Sequence, residues 1–185
     1  MLLQEMIERI TRLLQNDSRS LGSYLDIQPI QLEALHYLTS CNKYSNTLQG
    51  VTEYFGLTKG TISQTIKTLE KKGLLQKKID KQDKRVVHLT VSSPGKKLLQ
   101  KTLPSPVIEK SFAALSNQKQ AQLMENLQTL LREMQKANAM KTFGVCHTCK
   151  FNKKLDGGSF LCELTKEKLT KEETTLICRE HMSLV

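Results

Sequence analysis

The sequence predicts a mainly α chain carrying one small β-hairpin, an α+β fold, and three observations carry that expectation. Apolar residues recur at three- and four-residue steps through most of residues 1–140. One pair of short β-like runs, 74–79 and 86–91, interrupts them around the wholly polar stretch Asp80–Arg85. From Lys141 the composition changes again, and four of the 5 cysteines gather there.

The first helical stretch spans residues 1–15, with Leu3, Met6, Ile7, Ile10, Leu13 and Leu14 on its apolar stripe. Asn16-Asp17-Ser18 reads as a break. A second stretch starts at about Pro29, carries Ile30, Leu32, Leu35 and Leu38, and ends near Cys41-Asn42. A third covers about Thr47 to Tyr54. The fourth opens at Thr58, a good N-cap, and runs to Lys72, where Gly73 terminates it. Ile62, Ile66 and Leu69 give this helix one buried stripe; Gly60, Gln64, Lys67, Thr68 and Lys71 occupy the other side. The hairpin follows. Ser93-Pro94-Gly95 opens a further helix with Leu98 and Leu99, and Pro104 and Pro106 impose a kink or break. A last long helix runs from about Asn117 to Met140, with Leu123, Leu127, Leu130, Leu131 and Met134 on its stripe.

Helix, helix, basic helix and charged hairpin in that order make a winged helix-turn-helix. Its core is expected at about 29–95, within a domain of residues 1–140. Residues 1–15 and 96–140 supply a helical dimerisation region, and 141–185 form a small cysteine-rich, metal-binding appendage.

Charge narrows the partner. The chain holds 28 Lys and Arg against 18 Asp and Glu, a net charge of +10, which suits phosphates or an anionic membrane surface. Residues 58–90 carry nine basic and three acidic side chains, a net +6. With no Trp, 4 Tyr and 5 Phe, stacking on single strands is disfavoured. Duplex DNA, held through phosphates and groove edges, needs no aromatics. A major groove admits one helix, so Thr58, Lys59, Thr61, Ser63, Gln64, Lys67, Thr68 and Lys71 are the candidate contacts on the fourth helix. Gln64 suits adenine and Lys67 suits guanine or a phosphate. At the hairpin tip, Arg85 beside Lys81 and Lys84 suits a narrow minor groove. Lysine pairs such as Lys71-Lys72 and Lys77-Lys78 are, taken alone, solvated faces; the coincidence of helix, hairpin and charge carries the reading.

These residues resemble the MarR-type regulators. Leu57-Thr58-Lys59-Gly60-Thr61-Ile62-Ser63-Gln64-Thr65-Ile66, continued by Leu69-Glu70-Lys71-Lys72-Gly73-Leu74-Leu75, is similar to that family's recognition helix. Asp83-Lys84-Arg85-Val86-Val87-His88-Leu89-Thr90, with Gly95 after it, is similar to its wing signature, and Leu115-Ser116-Asn117 fits the start of its last long helix. The resemblance covers roughly residues 1–140. It implies a homodimer built from the first and last helices, a palindromic operator, Arg85 in a minor groove, and Asp83 shaping the wing. Two positions depart: Gly60 lies inside the recognition helix, and Gln64 stands where many members carry Arg, so a base preference does not transfer.

The appendage reads Cys146-x2-Cys149-x12-Cys162-x15-Cys178-x2-His181. In a reducing compartment this pattern points to metal before disulfides, and a metal supplies folding energy that so small and polar a segment lacks. Cys146, Cys149, Cys178 and His181 fit a tetrahedral Zn2+ site; Cys162 is then spare or replaces His181. Four cysteines fit a [4Fe–4S] cluster equally well, and Cys-x2-Cys-x-Phe resembles the cluster segment of high-potential iron–sulfur proteins. His147 reads as a bystander, and His36 and His88 as structural. Cys41 reads as packed, with an oxidant-sensing thiol as the alternative.

The N-terminus lacks signal-peptide features and no apolar run approaches a membrane span, so a cytoplasmic location with no membrane partner is expected. The reading that gathers these features is a duplex-binding transcription regulator, a repressor before an activator, set by an unknown effector. A metal or redox signal in the appendage could act by biasing the spacing of the two recognition helices through the last helix. It is expected not to be an enzyme: paired carboxylates, a Ser-His-Asp arrangement and a phosphate loop are all missing. The alternatives are an iron–sulfur or zinc enzyme, or a protein-interaction module, using the winged helix as a scaffold.

Overall fold

The computed structural model describes residues 2–139 and 141–183; the expected boundaries at 1, 140 and 185 lie outside them. Among these described residues, seven α-helices and two small antiparallel sheets follow in the order α1 (Leu3–Tyr24), α2 (Pro29–Ser40), α3 (Leu48–Phe55), α4 (Lys59–Lys71), β1 (Leu75–Ile79), β2 (Val87–Val91), α5 (Ser93–Thr102), α6 (Pro106–Ala113), α7 (Asn117–Ala137), β3 (Asn152–Lys154), β4 (Phe160–Cys162) and β5 (Glu167–Leu169). The α+β winged helix expected from the sequence is present.

Local chemistry sets the helix ends in the central region. Thr47 and Thr58 cap α3 and α4, accepting the N–H groups of Gly50 and Thr61. Gly56 and Gly73 close the same helices with φ of 62° and 69°, a conformation that glycine adopts without steric cost. Ser92 caps α5 and also donates to the Gly73 carbonyl at 2.6 Å, so the wing's far end is tied to its near end.

One helical expectation is corrected. Asn16-Asp17-Ser18 does not break α1, which continues to Tyr24. Ser20 satisfies itself by donating to the Asn16 carbonyl, and Asp17 accepts the Ser105 hydroxyl. The turn comes at Leu25-Asp26-Ile27 instead, where Asp26 adopts φ 51°. The two prolines do break the chain as expected, but Pro106 also starts α6, because proline suits the first turn of a helix.

The core joins α2, α3, α4, the hairpin and α5. Leu35, Val51, Ile62, Ile66, Leu69 and Leu75 are almost wholly buried within it. β1 and β2 pair antiparallel with Leu75 opposite Val91 and Ile79 opposite Val87. The loop between α2 and α3 is packed tightly beneath them. The Tyr37 hydroxyl donates to the Ser45 carbonyl at 3.0 Å. A Cβ on Gly50 would lie 2.1 Å from that same carbonyl oxygen. Gly50→Ala is therefore expected to destabilise the fold by about 1–3 kcal/mol or more, since backbone cannot yield as a flexible side chain does; the midpoint of urea unfolding reads this.

The outer helices are different. α7 buries no residue, and Leu123, Met124, Leu127, Leu131 and Met134 are exposed along it. Leu3, Met6, Ile10 and Leu13 are exposed along α1. Among the described residues no helix is long and apolar enough to cross a membrane.

Candidate nucleic-acid interface and cysteine site

The stripe of Ile62, Ile66 and Leu69 faces inward, which turns the opposite side of α4 outward. Thr58, Lys59, Thr61, Ser63, Gln64, Lys67 and Lys71 are exposed there, and Thr68 is half-buried with its hydroxyl donating to the Gln64 carbonyl. Gly60 sits in the first turn, where a side chain would meet only the Thr58 hydroxyl, at 3.8 Å. Glu70, the one acid of α4, pairs with Lys77 of β1 at 2.6 Å.

The wing tip is shaped by two aspartates. Asp80 Oδ1 accepts the backbone N–H groups of Gln82 and Asp83 at 2.7 and 2.8 Å, folding the turn back on itself. Asp83 accepts the Arg85 N–H and Nε at 3.0 Å and its Nη2 at 2.9 Å. The Arg85 side chain is thereby aimed while remaining 90% exposed. Lys81 and Lys84 are exposed beside it.

Both carboxylates titrate below their ordinary range. The N–H groups of Asp83 and Gln82, and then His88, hold Asp80 down. The Arg85 guanidinium, followed by its backbone N–H, holds Asp83 down. A depressed carboxylate contributes order above its unfolded pKa and loses it as pH falls through the lower folded value. The wing is thus expected to stay formed at neutral pH and to loosen below about pH 4, seen as faster exchange of the Asp83 and Arg85 amides.

The sequence reading missed what anchors the wing. His88 bridges Asn46 Oδ1 at 2.7 Å and Asp80 Oδ2 at 3.1 Å. The Leu89 N–H donates to the Asn46 carbonyl at 2.7 Å, and Thr47 bridges His88 through the backbone. The α2–α3 loop is in effect an extra edge of the wing sheet. Polar partners 42 residues apart leave no periodic trace in sequence.

The segment after α7 forms a three-stranded sheet, β3-β4-β5, threaded by short 3-10 turns. Cys146 and Cys149 flank one such turn, closed by the Cys149 N–H on the Cys146 carbonyl at 3.0 Å. Cys162 ends β4, opposite Asn152 on one side and Glu167 on the other. Cys178 donates its N–H to the Gly144 carbonyl at 3.0 Å. All four line one cavity of about 310 Å³. Each is a free thiol, and burial pushes Cys146 and Cys178 up. Among the described residues, no three His, Cys, Asp or Glu side chains are close enough together to hold a single metal ion.

His181 lies elsewhere. It is buried, with Nδ1 on the Thr142 hydroxyl and Nε2 on the Thr148 hydroxyl, both at 2.9 Å, and it does not line the cavity. The exposed His147 turns Nδ1 to the Thr174 carbonyl at 3.3 Å. Cys41 packs in the core, where burial raises it to about 12, so it holds essentially no thiolate at neutral pH.

The cysteine segment docks on the helix-turn-helix. Ile177 exchanges backbone bonds with Ser40 and Asn42 at 2.8 and 2.9 Å, making a parallel bridge to Cys41. The Arg179 N–H donates to Ser45 Oγ and its Nη2 to Glu53 Oε1 of α3, both at 2.9 Å. Lys141 reaches the other Glu53 oxygen at 3.2 Å, and Lys43 pairs with Glu167 at 2.6 Å. Phe143 stacks edge-on against Tyr54 at 5.3 Å. Although the segment follows α7 in sequence, these bonds run to α3 and to the loop that also holds the wing.

A sequence profile described as "Transcriptional regulator SarA/Rot" matches residues 21–102. The HTH-type transcriptional regulator YwaE of Bacillus subtilis is 37% identical over 54 residues, 29% of this chain and 32% of its own length. The chain thus spans about a third of that curated relative. A DNA complex of MepR from S. aureus superposes with a TM-score of 0.61 at 21% identity, covering 72% of this chain and 98% of that one. A MarR transcriptional regulator from Methanosarcina mazei Go1 gives 0.63 at 20% identity, covering 73% and 97%. These likenesses show the MarR-like winged-helix fold and leave over a quarter of this chain unmatched.

Proposed function

We propose that the chain is a transcription regulator that binds double-stranded DNA as a homodimer and answers to a metal or redox signal through its cysteine segment. One observation carries the DNA reading. The exposed face of α4 and the braced Arg85 lie on a single 33-residue stretch, 58–90, with net charge +6. Its geometry suits a helix in one major groove and a wing tip in the adjacent minor groove. MepR, whose fold this chain shares, is described in complex with DNA, and the matched profile and YwaE are described as transcription regulators. Those descriptions favour a regulator over an enzyme.

The exposed leucine and methionine rows of α1 and α7 support the dimer, since apolar rows of that length are rarely left to water. A two-fold pair reads a palindromic operator, and repression follows where that operator overlaps a promoter. A duplex-binding protein of this kind acts in the cytoplasm.

Titration of a labelled duplex at several salt concentrations tests the reading. Affinity is expected to fall by about 0.9 log units per log unit of salt for each phosphate contacted, with the chain sedimenting as a dimer. Binding indifferent to salt would point to a protein partner instead and end the proposal.

A further inference from the structure

We infer that the chamber walled by Cys146, Cys149, Cys162 and Cys178 takes a [4Fe–4S] cluster bound through all four cysteines, and not a single zinc ion. The inference deepens the metal-responsive part of the regulator reading and rests on it.

Size is the first argument. Zinc binds thiolate at about 2.3 Å in a tetrahedron, which draws its four sulfurs to within roughly 4 Å of one another. Among the described residues no three candidate ligands are grouped so as to hold one metal ion, and the four thiols line one cavity of about 310 Å³ together with neighbours such as Tyr44, Asn152 and Leu176. Closing that space on one ion means moving walls held from outside. The Cys146–Cys149 turn is hydrogen-bonded shut, and Cys162 is fixed in register between β3 and β5. Cys178 lies between Ile177 and Arg179, both bonded to the α2–α3 loop. A [4Fe–4S] cluster takes one cysteine on each of its four irons, so it asks for no three ligands gathered at one point.

Ligand chemistry is the second. Both ring nitrogens of His181 are engaged with threonine hydroxyls, which leaves an all-cysteine set; that set serves a [4Fe–4S] cluster and sets aside the zinc arrangement with His181, so the grouping of the ligands decides against a four-cysteine zinc ion. The sulfurs already receive N–H groups, from Asn152 Nδ2 to Cys146 at 3.3 Å and from the Met182 backbone to Cys149 at 3.5 Å. Such bonds support thiolate ligands and tune a cluster's potential. Phe151, Leu164, Leu169 and Leu176 give the lining an apolar part.

Loading needs no oxidant. Each cysteine thiol passes its proton to a departing small-molecule thiolate of a preformed cluster and takes its place on iron. Four Fe–S(thiolate) bonds break, four form, and the oxidation states of iron and sulfide are unchanged.

The test is anaerobic. The full-length, metal-free chain is mixed with a [4Fe–4S] cluster ligated by small thiolates, desalted, and assayed for iron, sulfide and visible absorption; a parallel sample receives zinc. One brown cluster per chain is expected, lost in Cys162→Ser and kept in His181→Gln. A colourless protein that refuses the cluster and holds one zinc overturns the inference. So does a site that survives Cys162→Ser but fails in His181→Gln, the signature of the Cys146, Cys149, Cys178, His181 arrangement. Circular dichroism of the metal-free variants confirms that Cys162→Ser still folds. Duplex binding on the same samples separates the two readings: a brown protein indifferent to duplex keeps the cluster and discards the regulator, and a colourless one that binds duplex does the reverse.

Discussion

Arg85→Ala is expected to weaken duplex binding about tenfold to a hundredfold, a loss of about 1–3 kcal/mol, while leaving the fold intact. The side chain is 90% exposed and bonds to Asp83 at the surface, so its removal uncovers no core. What disappears is a guanidinium held at the wing tip before DNA arrives, where a narrow minor groove concentrates negative potential. Because the pair with Asp83 fixes its direction, part of the conformational entropy of contact is spent in advance. Asp83→Asn retains the positive charge and one acceptor but loses the bidentate grip, so a smaller loss is expected from it. The salt slope should drop by about one phosphate in Arg85→Ala. An equal loss in Lys154→Ala, on the separate cysteine sheet, would mean that net charge alone mattered and the wing had no particular role. Fluorescence anisotropy with one operator-length duplex reads all three variants.

The fold's centre was legible because its signals are local. Thr58, Gly73, and the Ile62, Ile66, Leu69 stripe state a helix, its start and its stop within sixteen residues, and the structure forms α4 between them. Asn16-Asp17-Ser18 misled because breaker residues act only where their side chains compete with the helix. Here Asp17 finds Ser105 across 88 residues instead. The cysteine spacing was legible as a pattern, whereas the docking of that segment was not. Arg179 to Glu53 and Tyr44 to Glu167 join positions more than a hundred residues apart, and a charged residue on paper does not say which partner will desolvate it. His88 reads as structural in sequence and is so in the fold, where it clamps the wing to the same loop that carries the cysteine sheet, a role that no local pattern announces.

That shared loop gives the second large expectation, that Arg179→Ala uncouples the cysteine site from DNA affinity. An effector changes affinity only if it binds the DNA-competent and incompetent states unequally, and the coupling between two sites is typically about 1–3 kcal/mol, or 5- to 150-fold. In this chain the path is short. Cys178 adjoins Arg179, which holds Ser45 and Glu53; Asn46, one residue on from Ser45, holds His88 and Leu89 of β2; Glu53 lies on α3, which packs on α4. Duplex affinity of the native chain is therefore expected to differ at least about fivefold between metal-loaded and metal-free protein. In Arg179→Ala the metal should still bind, because the four cysteines are untouched, and the difference should shrink to within about twofold, below the usual range of coupling. The Arg179 side chain is 15% exposed, so some stability is lost with it, but Lys141 remains beside Glu53 and spares that carboxylate from being left unpaired. If the variant keeps its metal and the full difference in affinity, the signal does not travel through Glu53 and α3. The route would then be α7, or the backbone bonds of Arg179 to Ser45 and of Ile177 to Ser40 and Asn42, which the substitution leaves in place.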